Sequence, residues 1–238
     1  MLPKGVSVTL VAPKGPVNVG HVARLVQNFG VEKLYLVEPK VDLSVAAVYA
    51  SHASGVLDSA VVTTFEKVRR ENELLVATTA VRASKRSNVI RRSLSLDRLH
   101  DILSRSETSS LVFGRDSTGL TNGEIEACDL TTTIETSPAY RSLNIGHAAA
   151  IVLYLASRGG RRGSRGQGRK AREVFSESFY DMAVGSRLPA HKTKNLFEVA
   201  KRAAASSELT DAQLNAFSGV FRKAASALKA SQERGSKT

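Results

Sequence analysis

The sequence predicts an α/β protein with a largely parallel sheet, followed by a basic helical extension. Two observations indicate the α/β fold: short β-branched runs alternate with helical segments up to about Arg158, and most of these runs are continuously apolar. Both features are typical of parallel strands covered by helices on each face. A third observation sets the end of the chain apart, because residues 159–238 carry 16 basic and 7 acidic side chains.

The elements of the α/β part follow one another regularly. Residues 6–12 form the first β-branched run, and residues 18–29 have apolar side chains at helical spacing. Gly30 suits the position after that helix, because glycine adopts left-handed backbone without a Cβ penalty. The second strand is predicted at 33–38. Further strands are predicted at 60–63, 74–79, 111–113 and 130–134, and helices at 44–57, 65–71, 96–104 and 145–155.

The stretch 159–172 contains five glycines and six basic residues, with no apolar side chain longer than alanine. It cannot pack a core and is predicted to be a linker between a domain at 1–158 and a basic helical region at 173–238. Helices are expected at 173–184, 193–205 and 211–229. The apolar stripe of the last helix could cover the α/β domain, pack against a partner chain or support RNA binding.

The composition and the motifs that are missing favour some classes of function and exclude others. The net charge of +12 and the pI near 10.1 indicate a polyanionic partner, with a solvated basic tail as the plainer alternative. Cys128 is the single cysteine and no Cys/His cluster has zinc-ligand spacing, so we expect no metal site and a reducing, cytoplasmic setting. We expect neither a signal peptide nor a membrane span. The sequence also lacks a Walker A motif and a GxSxG elbow, which argues against phosphoryl transfer and serine hydrolysis.

Three polar segments follow predicted strands, where an α/β sheet binds its ligands. The first is PKGPVNVGHVARLVQNFG, in which Asn18 is either a helix cap or a functional side chain. Gly20 permits close approach of another backbone or a ligand. Arg24 projects from the second turn of that helix, and its plainer reading is a solvated residue.

The second segment, LVFGRDSTGLTNGEIEACD, places a tight glycine-flanked loop after a strand. Thr121 or Asn122 is expected to cap the short helix that follows, with Glu124 in its first turn. In the third segment, IETSPAYRSLNIGHAAAIVLYLASR, Ser142 or Asn144 could cap an uncharged helix. That helix is expected in the core or in an interface, with its histidine packed and hydrogen-bonded rather than acting as a ligand.

Together the motifs NxGxxxR, FGRDSTGLTNxE and SPAYRSLNIGHAAAIVLY resemble the SPOUT superfamily of RNA methyltransferases, most of all the TrmJ-type tRNA 2′-O-methyltransferases. The resemblance covers residues 5–158, with the motifs in family order. It implies a Rossmann-like fold ending in a deep trefoil knot, and a homodimer whose active site combines both chains. It also implies S-adenosyl-L-methionine as cofactor, S-adenosyl-L-homocysteine as product and the ribose 2′-hydroxyl of tRNA nucleotide 32, in the anticodon loop, as target.

The resemblance also assigns site residues. One departure from the family loop is that Asp116 and Ser117 stand where two acids are common, which leaves the role of the Asp116 carboxylate open. The implied catalytic residues are Asn18, Arg24 and Ser142; the implied cofactor contacts are Thr78, Leu111, Gly114, Arg115, Gly119, Ile134, Leu143 and Asn144; the implied substrate contacts are Arg24, Arg115, Glu124, Tyr140 and Arg141.

In such enzymes the motif-one arginine, here Arg24, is often assigned as general base. Deprotonating a guanidinium of pKa near 13 at pH 7 would cost about 8 kcal/mol, so we expect Arg24 to grip a phosphate as a cation instead. Two alternatives to the tRNA methyltransferase remain at this point: a ribosomal RNA 2′-O-methyltransferase, and a non-catalytic RNA-binding protein that keeps the knotted fold.

Overall fold

The computed structural model describes residues 1–80, 94–158, 168–186, 188–207 and 209–235. These residues fall into two units. The sheet unit comprises residues 1–80 and 94–158, and the helical unit comprises the described residues from 168 to 235.

The sheet unit contains six strands, all paired in parallel, in the order β3-β2-β1-β5-β4-β6. From β1 the chain adds β2 and β3 on one side; it then places β4 on the other side, inserts β5 between β1 and β4, and ends with β6 outside β4. Ligands of open α/β sheets bind where the strand order switches sides in this way. The strands are β1 Val6–Val11, β2 Lys33–Val37, β3 Val61–Thr63, β4 Leu74–Thr78, β5 Ser109–Phe113 and β6 Leu130–Thr132.

The two central strands, β1 and β5, are buried along their whole length, which confirms that helices cover both faces of the sheet. Of their polar side chains, the hydroxyls of Thr9 and Ser110 pair with each other at 2.7 Å, and the hydroxyl of Ser7 donates to the Ser109 carbonyl at 2.9 Å. The core is otherwise aliphatic and aromatic. Its largest fully buried side chains in this unit are Tyr35, Phe113, Leu10, Leu36, Leu74, Leu75, Leu99, Ile102, Leu103, Leu111 and Leu153.

Seven helices are found among the described residues of the sheet unit. The first of them packs between the second and the seventh. Gly20 makes the first of these contacts possible, because a Cβ there would lie 2.6 Å from the carbonyl oxygen of Ala46. The helices are α1 Pro16–Phe29, α2 Leu43–Ala50, α3 Ser54–Asp58, α4 Phe65–Glu71, α5 Leu99–Leu103, α6 Asn122–Ala127 and α7 Ile145–Ser157, with 3₁₀ turns at 51–53 and 96–98.

Several element boundaries differ from the prediction. The single helix expected at 44–57 is broken at Ser51, whose φ of 54° lies outside helical backbone, so α2, a 3₁₀ turn and α3 replace it. The first helix begins at Pro16 after Gly15, so Asn18 lies in the first turn and is not the cap. Gly30 takes left-handed backbone after α1, as predicted, with φ 64°.

The helical unit contains three helices, α8 Arg169–Gly185, α9 Ala190–Ser206 and α10 Asp211–Gly235. Residues 159–167 of the predicted linker lie outside the described residues, and its last four residues were wrongly assigned because they form the first turn of α8. That turn is anchored by the backbone N–H of Gly168, which donates to Asp211 at 2.8 Å.

The core of the helical unit is small and built differently from that of the sheet unit. Ala171, Ala204 and Leu214 are buried in it, with Phe175 packed against them. Edge-to-face aromatic pairs extend this contact between α8 and α10. The predicted stripe of α10 is only partly covered within this unit, because Phe217 and Val220 are 45% and 62% exposed.

Candidate active site

Two of the three motif-bearing segments, the second and the third, line a cavity of about 330 Å³ at the carboxyl end of the sheet. The walls come from the ends of β4 and β6, the loop after β5 with the start of α6, and the segment that leads into α7. The cavity is lined by Thr78, Thr79, Ala80, Phe113, Gly114, Arg115, Asp116, Ser117, Thr118, Gly119, Leu120, Asn122, Ile125, Thr132, Ile134, Arg141, Ser142, Leu143, Ile145, Ala148 and Val152.

Most of the residues assigned to the cofactor line this cavity. The two exceptions are Leu111, which is buried inside β5, and Asn144, which caps α7. Ser142 and Arg141, assigned to catalysis and substrate, are also in the wall. The predicted cofactor contacts found in the wall are Thr78, Gly114, Arg115, Gly119, Ile134 and Leu143.

The loop after β5 closes on itself tightly. The backbone groups of Arg115 and Gly119 exchange two hydrogen bonds, of 3.1 and 3.0 Å, and Gly119 has a φ of 68°. A Cβ on Gly114 would lie 2.1 Å from the carbonyl carbon of Gly119 and 2.2 Å from the backbone nitrogen of Leu120. Two glycines are therefore required here, one for close approach and one for left-handed backbone.

Arg115 and Glu124, predicted as substrate contacts, form an ion pair with each other. Two guanidinium nitrogens of Arg115 donate to the two carboxylate oxygens of Glu124 at 2.9 and 3.0 Å. Thr121 completes a capping box, because its hydroxyl accepts from the backbone N–H of Glu124 and its own N–H donates to the carboxylate. The cap is therefore Thr121, one of the two predicted candidates.

The pKa of Glu124 reflects this environment. Burial alone would raise the pKa, but hydrogen bonds from Arg115 and from Thr121 stabilise the carboxylate more strongly and hold its pKa below the usual value. At neutral pH the pair is fully charged. Its geometry indicates that it fixes the loop against the start of α6.

Asp116 contacts the beginning of α1, which the sequence did not predict. Its carboxylate accepts from the backbone N–H groups of Lys14 and Gly15, at 3.2 and 3.3 Å, and from the side-chain amide of Asn18. Asn18 in turn accepts from the side-chain amide of Asn144 at 2.8 Å. These contacts join the three motif-bearing segments. The signal was long-range, since Asp116 and Asn18 are 98 positions apart.

Asn144 has a second contact, because its carbonyl oxygen accepts from the backbone N–H of Gly146 at 2.9 Å and caps α7. The cap is therefore Asn144 rather than Ser142. The helix that it begins is covered on one face only. Ile151 and Tyr154 are 36% and 52% exposed, and the His147 side chain is exposed, which contradicts the packed position predicted for it.

Arg24 and Tyr140 lie outside the cavity wall. Arg24 is exposed on α1, and no hydrogen bond or ion pair joins it to the described residues. Tyr140 is 77% exposed in a turn closed by its N–H donating to the carbonyl of Ser137 at 3.1 Å. One chain therefore does not bring either side chain to the cavity.

The described residues show neither a metal-binding cluster nor a membrane-spanning helix. Within ranges 1–80 and 94–158 and the described parts of the helical unit, no group of three or more His, Cys, Asp or Glu side chains could hold a metal ion. No helix in those ranges is long and apolar enough to cross a membrane.

Residues 5–154 match the family model described as "SpoU rRNA Methylase family". The "tRNA (cytidine-2′-O-)-methyltransferase TrmJ" of Methanocaldococcus jannaschii is 39% identical over 152 residues, which cover 63% of this chain and 66% of the relative. The chain matches less than two thirds of the length of the curated relatives.

Solved structures share the fold. A structure titled "Crystal structure of TrmJ from Z. mobilis ZM4" has a TM-score of 0.65 at 21% identity and covers 94% of this chain and 99% of its own. The SpoU methyltransferase AviRb from Streptomyces viridochromogenes, solved in complex with AdoMet, has a TM-score of 0.51 at 22% identity and covers 68% and 61% of the two chains.

Proposed function

Because the chain belongs to the SpoU rRNA methylase family, we propose that it transfers a methyl group from S-adenosyl-L-methionine to a ribose 2′-hydroxyl of tRNA. One observation carries the proposal: the cavity at the carboxyl end of the sheet is lined by six of the eight residues assigned to the cofactor. The tRNA substrate is supported by relatives that are 33 to 39% identical and are named as tRNA 2′-O-methyltransferases.

The cavity fits such a cofactor. A volume of about 330 Å³ falls at the lower end of the range for small-molecule sites, roughly 300 to 1,000 Å³, and its walls combine apolar side chains with a few polar groups. We assign Ile134 and Leu143 to the apolar wall and the backbone around Gly114 and Gly119 to the polar contacts. When bound, S-adenosyl-L-methionine supplies an electrophilic methyl group on a sulfonium, and S-adenosyl-L-homocysteine is the product. The AdoMet complex of AviRb supports this choice.

The protein's own contribution is to position the ribose and to stabilise its oxygen as the hydroxyl proton passes to solvent water. Arg24, as a cation, would hold the phosphate next to the target ribose, because a guanidinium matches phosphate bidentately. Using it as a base would cost about 8 kcal/mol at pH 7. Asn18 and Ser142 would orient groups at the reacting centre, and Tyr140 and Arg141 would contact the RNA.

We propose a homodimer with a composite site. Arg24 is exposed and outside the cavity of its own chain, which supports a site that it enters from a second copy. The same helix layer exposes large apolar side chains, an arrangement typical of interfaces. These side chains are Val17 on α1, Val45, Val48 and Tyr49 on α2, and Ile151 and Tyr154 on α7. The trefoil knot stays a prediction of the resemblance.

The basic region 159–238 would bind tRNA phosphates, because it holds most of the excess positive charge. The target that we propose is nucleotide 32 of the anticodon loop. Relatives are named for cytidine alone or for cytidine and uridine, so both bases belong in the test.

The test is methyl transfer from labelled S-adenosyl-L-methionine to tRNA transcripts with C or U at position 32, followed by mapping of the modified nucleotide. We expect a 2′-O-methyl at position 32 that is lost with Arg24→Ala. Transfer to ribosomal RNA fragments and not to tRNA would overturn the substrate. Absence of cofactor binding in calorimetry would overturn the proposal that the protein is a methyltransferase, and would favour a non-catalytic RNA-binding protein.

A further inference from the structure

We propose that Asp116 is a positioning residue, which orients the reacting site by fixing the direction of a hydrogen-bond chain through Asn18 and Asn144. We call these three side chains the amide chain. The inference rests on the proposed function where it concerns methyl transfer, but the geometry behind it is independent of any substrate.

The direction of the amide chain is set at both of its ends. A carboxylate can only accept, so Asn18 must turn its NH₂ group toward Asp116. The carbonyl oxygen of Asn18 then faces Asn144, which donates its own NH₂ group at 2.8 Å. The carbonyl oxygen of Asn144 is left to accept from the N–H groups of Gly146 and His147, which can only donate.

An amide in place of the Asp116 carboxylate has no consistent arrangement. The backbone N–H groups of Lys14 and Gly15 require an oxygen, so the new NH₂ group would face the NH₂ group of Asn18. If the Asn18 amide is rotated by 180°, its NH₂ group faces the NH₂ group of Asn144 instead. If the Asn144 amide is rotated as well, its NH₂ group faces the backbone N–H groups at the start of α7. At least one hydrogen bond is lost in every case, and an unsatisfied half-buried donor is costly.

The amide chain acts on the proposed active site because its members belong to the surrounding loops. Asp116 lines the cavity, and Asn144 directly follows Ser142 and Leu143, which line it as well. Breaking the chain would free these loops to move relative to α1, which carries Asn18. The three donors on the Asp116 carboxylate also occupy it in this structure, so we assign it no proton transfer.

The amide chain predicts its own rescue. In Asp116→Asn combined with Asn18→Asp, the oxygen of the new asparagine accepts from Lys14 and Gly15, and its NH₂ group donates to the new aspartate. The second oxygen of that aspartate accepts from Asn144. Every hydrogen bond is restored with one of them reversed. The single change Asn18→Asp instead places two carboxylates in contact.

The experiment is a double-mutant cycle of Asp116→Asn, Asn18→Asp and their combination, in the full chain. Asp42→Asn is the matched control, because Asp42 also accepts from a backbone N–H and a side chain, at the start of α2. The readouts are the melting temperature, the dissociation constant of S-adenosyl-L-methionine, the NMR signals of the Asn144 side-chain amide, and kcat and KM for RNA below the melting transition.

We expect each single change to lower kcat about tenfold or more, with KM for RNA little changed, and to weaken cofactor binding by a similar factor. The double change should recover most of both losses and the slow-exchanging Asn144 amide signals. The control should match the wild type. A double change that is no better than Asp116→Asn would overturn the proposal, because it would show that the charge of Asp116 or the amide of Asn18 acts directly.

Failure of the proposed function would be recognised separately. If the wild-type chain methylates no RNA, the proposed function is wrong, whereas melting temperatures and Asn144 signals still follow the cycle. If those two readouts are additive over the two substitutions, the amide chain has no fixed direction and the further inference is wrong, whatever the activity.

Discussion

The sheet unit and the helical unit are stabilised by different means. In the sheet unit, two wholly buried strands and a large aliphatic core support loops whose polar side chains are paired with one another. The helical unit has a core of alanines and aromatic pairs, and leaves Phe217 and Val220 exposed on α10. The sequence that contains the helical unit, residues 159–238, has more basic than acidic side chains.

This difference indicates a division of labour. A rigid sheet can hold side chains in one geometry, which is what transfer of a small group requires. Binding to a polyanion requires charges at roughly the right places and tolerates motion between them. We therefore expect substitutions in the sheet unit to alter cofactor binding or turnover, and substitutions in the helical unit to alter RNA affinity alone.

The largest effect is expected from Gly114→Ala. The new Cβ would lie 2.1 Å from the backbone of Gly119, so the loop must open. We expect affinity for S-adenosyl-L-methionine to fall about 100-fold, measured by calorimetry, with tRNA affinity less affected. Gly123→Ala in α6 is the control, since a Cβ there meets nothing within 4 Å. An unchanged cofactor affinity in Gly114→Ala would show that this loop does not hold the cofactor.

The next effect is expected from Arg24→Ala. Loss of a charged hydrogen bond to phosphate should lower kcat/KM for tRNA about 30-fold or more, with cofactor affinity unchanged because the proposed partner of Arg24 is an RNA phosphate and not the cofactor. Arg24→Lys keeps the charge but loses the planar fork, so it should recover only part of the rate. Near wild-type turnover in Arg24→Lys would show that charge alone suffices.

A smaller effect is expected from the helical unit. Replacing Arg222, Lys223 and Lys229 of α10 with glutamine removes three exposed cations. We expect tRNA affinity to fall about tenfold at low salt, and the slope of log K against log [salt] to shrink by up to about two. Cofactor affinity should not change.

The matched control removes the same charge from the sheet unit, at Lys67, Arg69 and Arg70 of α4. It should affect tRNA binding less than the α10 variant does. If the two triple variants weaken tRNA binding equally, the comparison between the units fails and net charge alone governs affinity.

The smallest effect is expected from Glu124→Gln. Because the pKa of Glu124 is lowered in the folded state, its ion pair stabilises the protein above the unfolded pKa, and this contribution is lost as the pH falls through the folded pKa. We expect a loss of about 1 kcal/mol in the free energy of unfolding at pH 7, which shrinks as the pH falls through the lowered pKa of the folded state. Denaturant titrations at pH 7 and across the acid range measure it, with Glu66→Gln at the start of α4 as control. A pH-independent difference would show that packing, not charge, is lost.

The sequence predicted the strands and helices of the sheet unit well, because apolar periodicity is a local signal. It missed the break at Ser51, because a serine in the sequence does not indicate the positive φ that this residue adopts. In the helical unit it located three helices but ended the linker too late. Arg169–Arg172 look like solvated residues in the sequence, yet α8 begins there.

The candidate site was predicted in the same uneven way. The tight loop at Gly114 and Gly119 could be predicted from the sequence, because few other residues can replace glycine at such turns. The placement of Asp116 was not, because a carboxylate 98 positions from its partner leaves no periodicity to detect. The substrate role assigned to Arg115 and Glu124 has to account for their pairing with each other, which spacing alone did not indicate.

The contacts of Asn18 bear on how the molecule folds. Its two side-chain partners are 98 and 126 positions away, so both bonds close long loops of chain. Contacts of this range form late, because closing a long loop costs conformational entropy that is smaller once local helices and neighbouring strands have formed. Proteins rich in such contacts fold slowly. We therefore expect refolding chains to bury their core first and to gain affinity for S-adenosyl-L-methionine in a later kinetic phase.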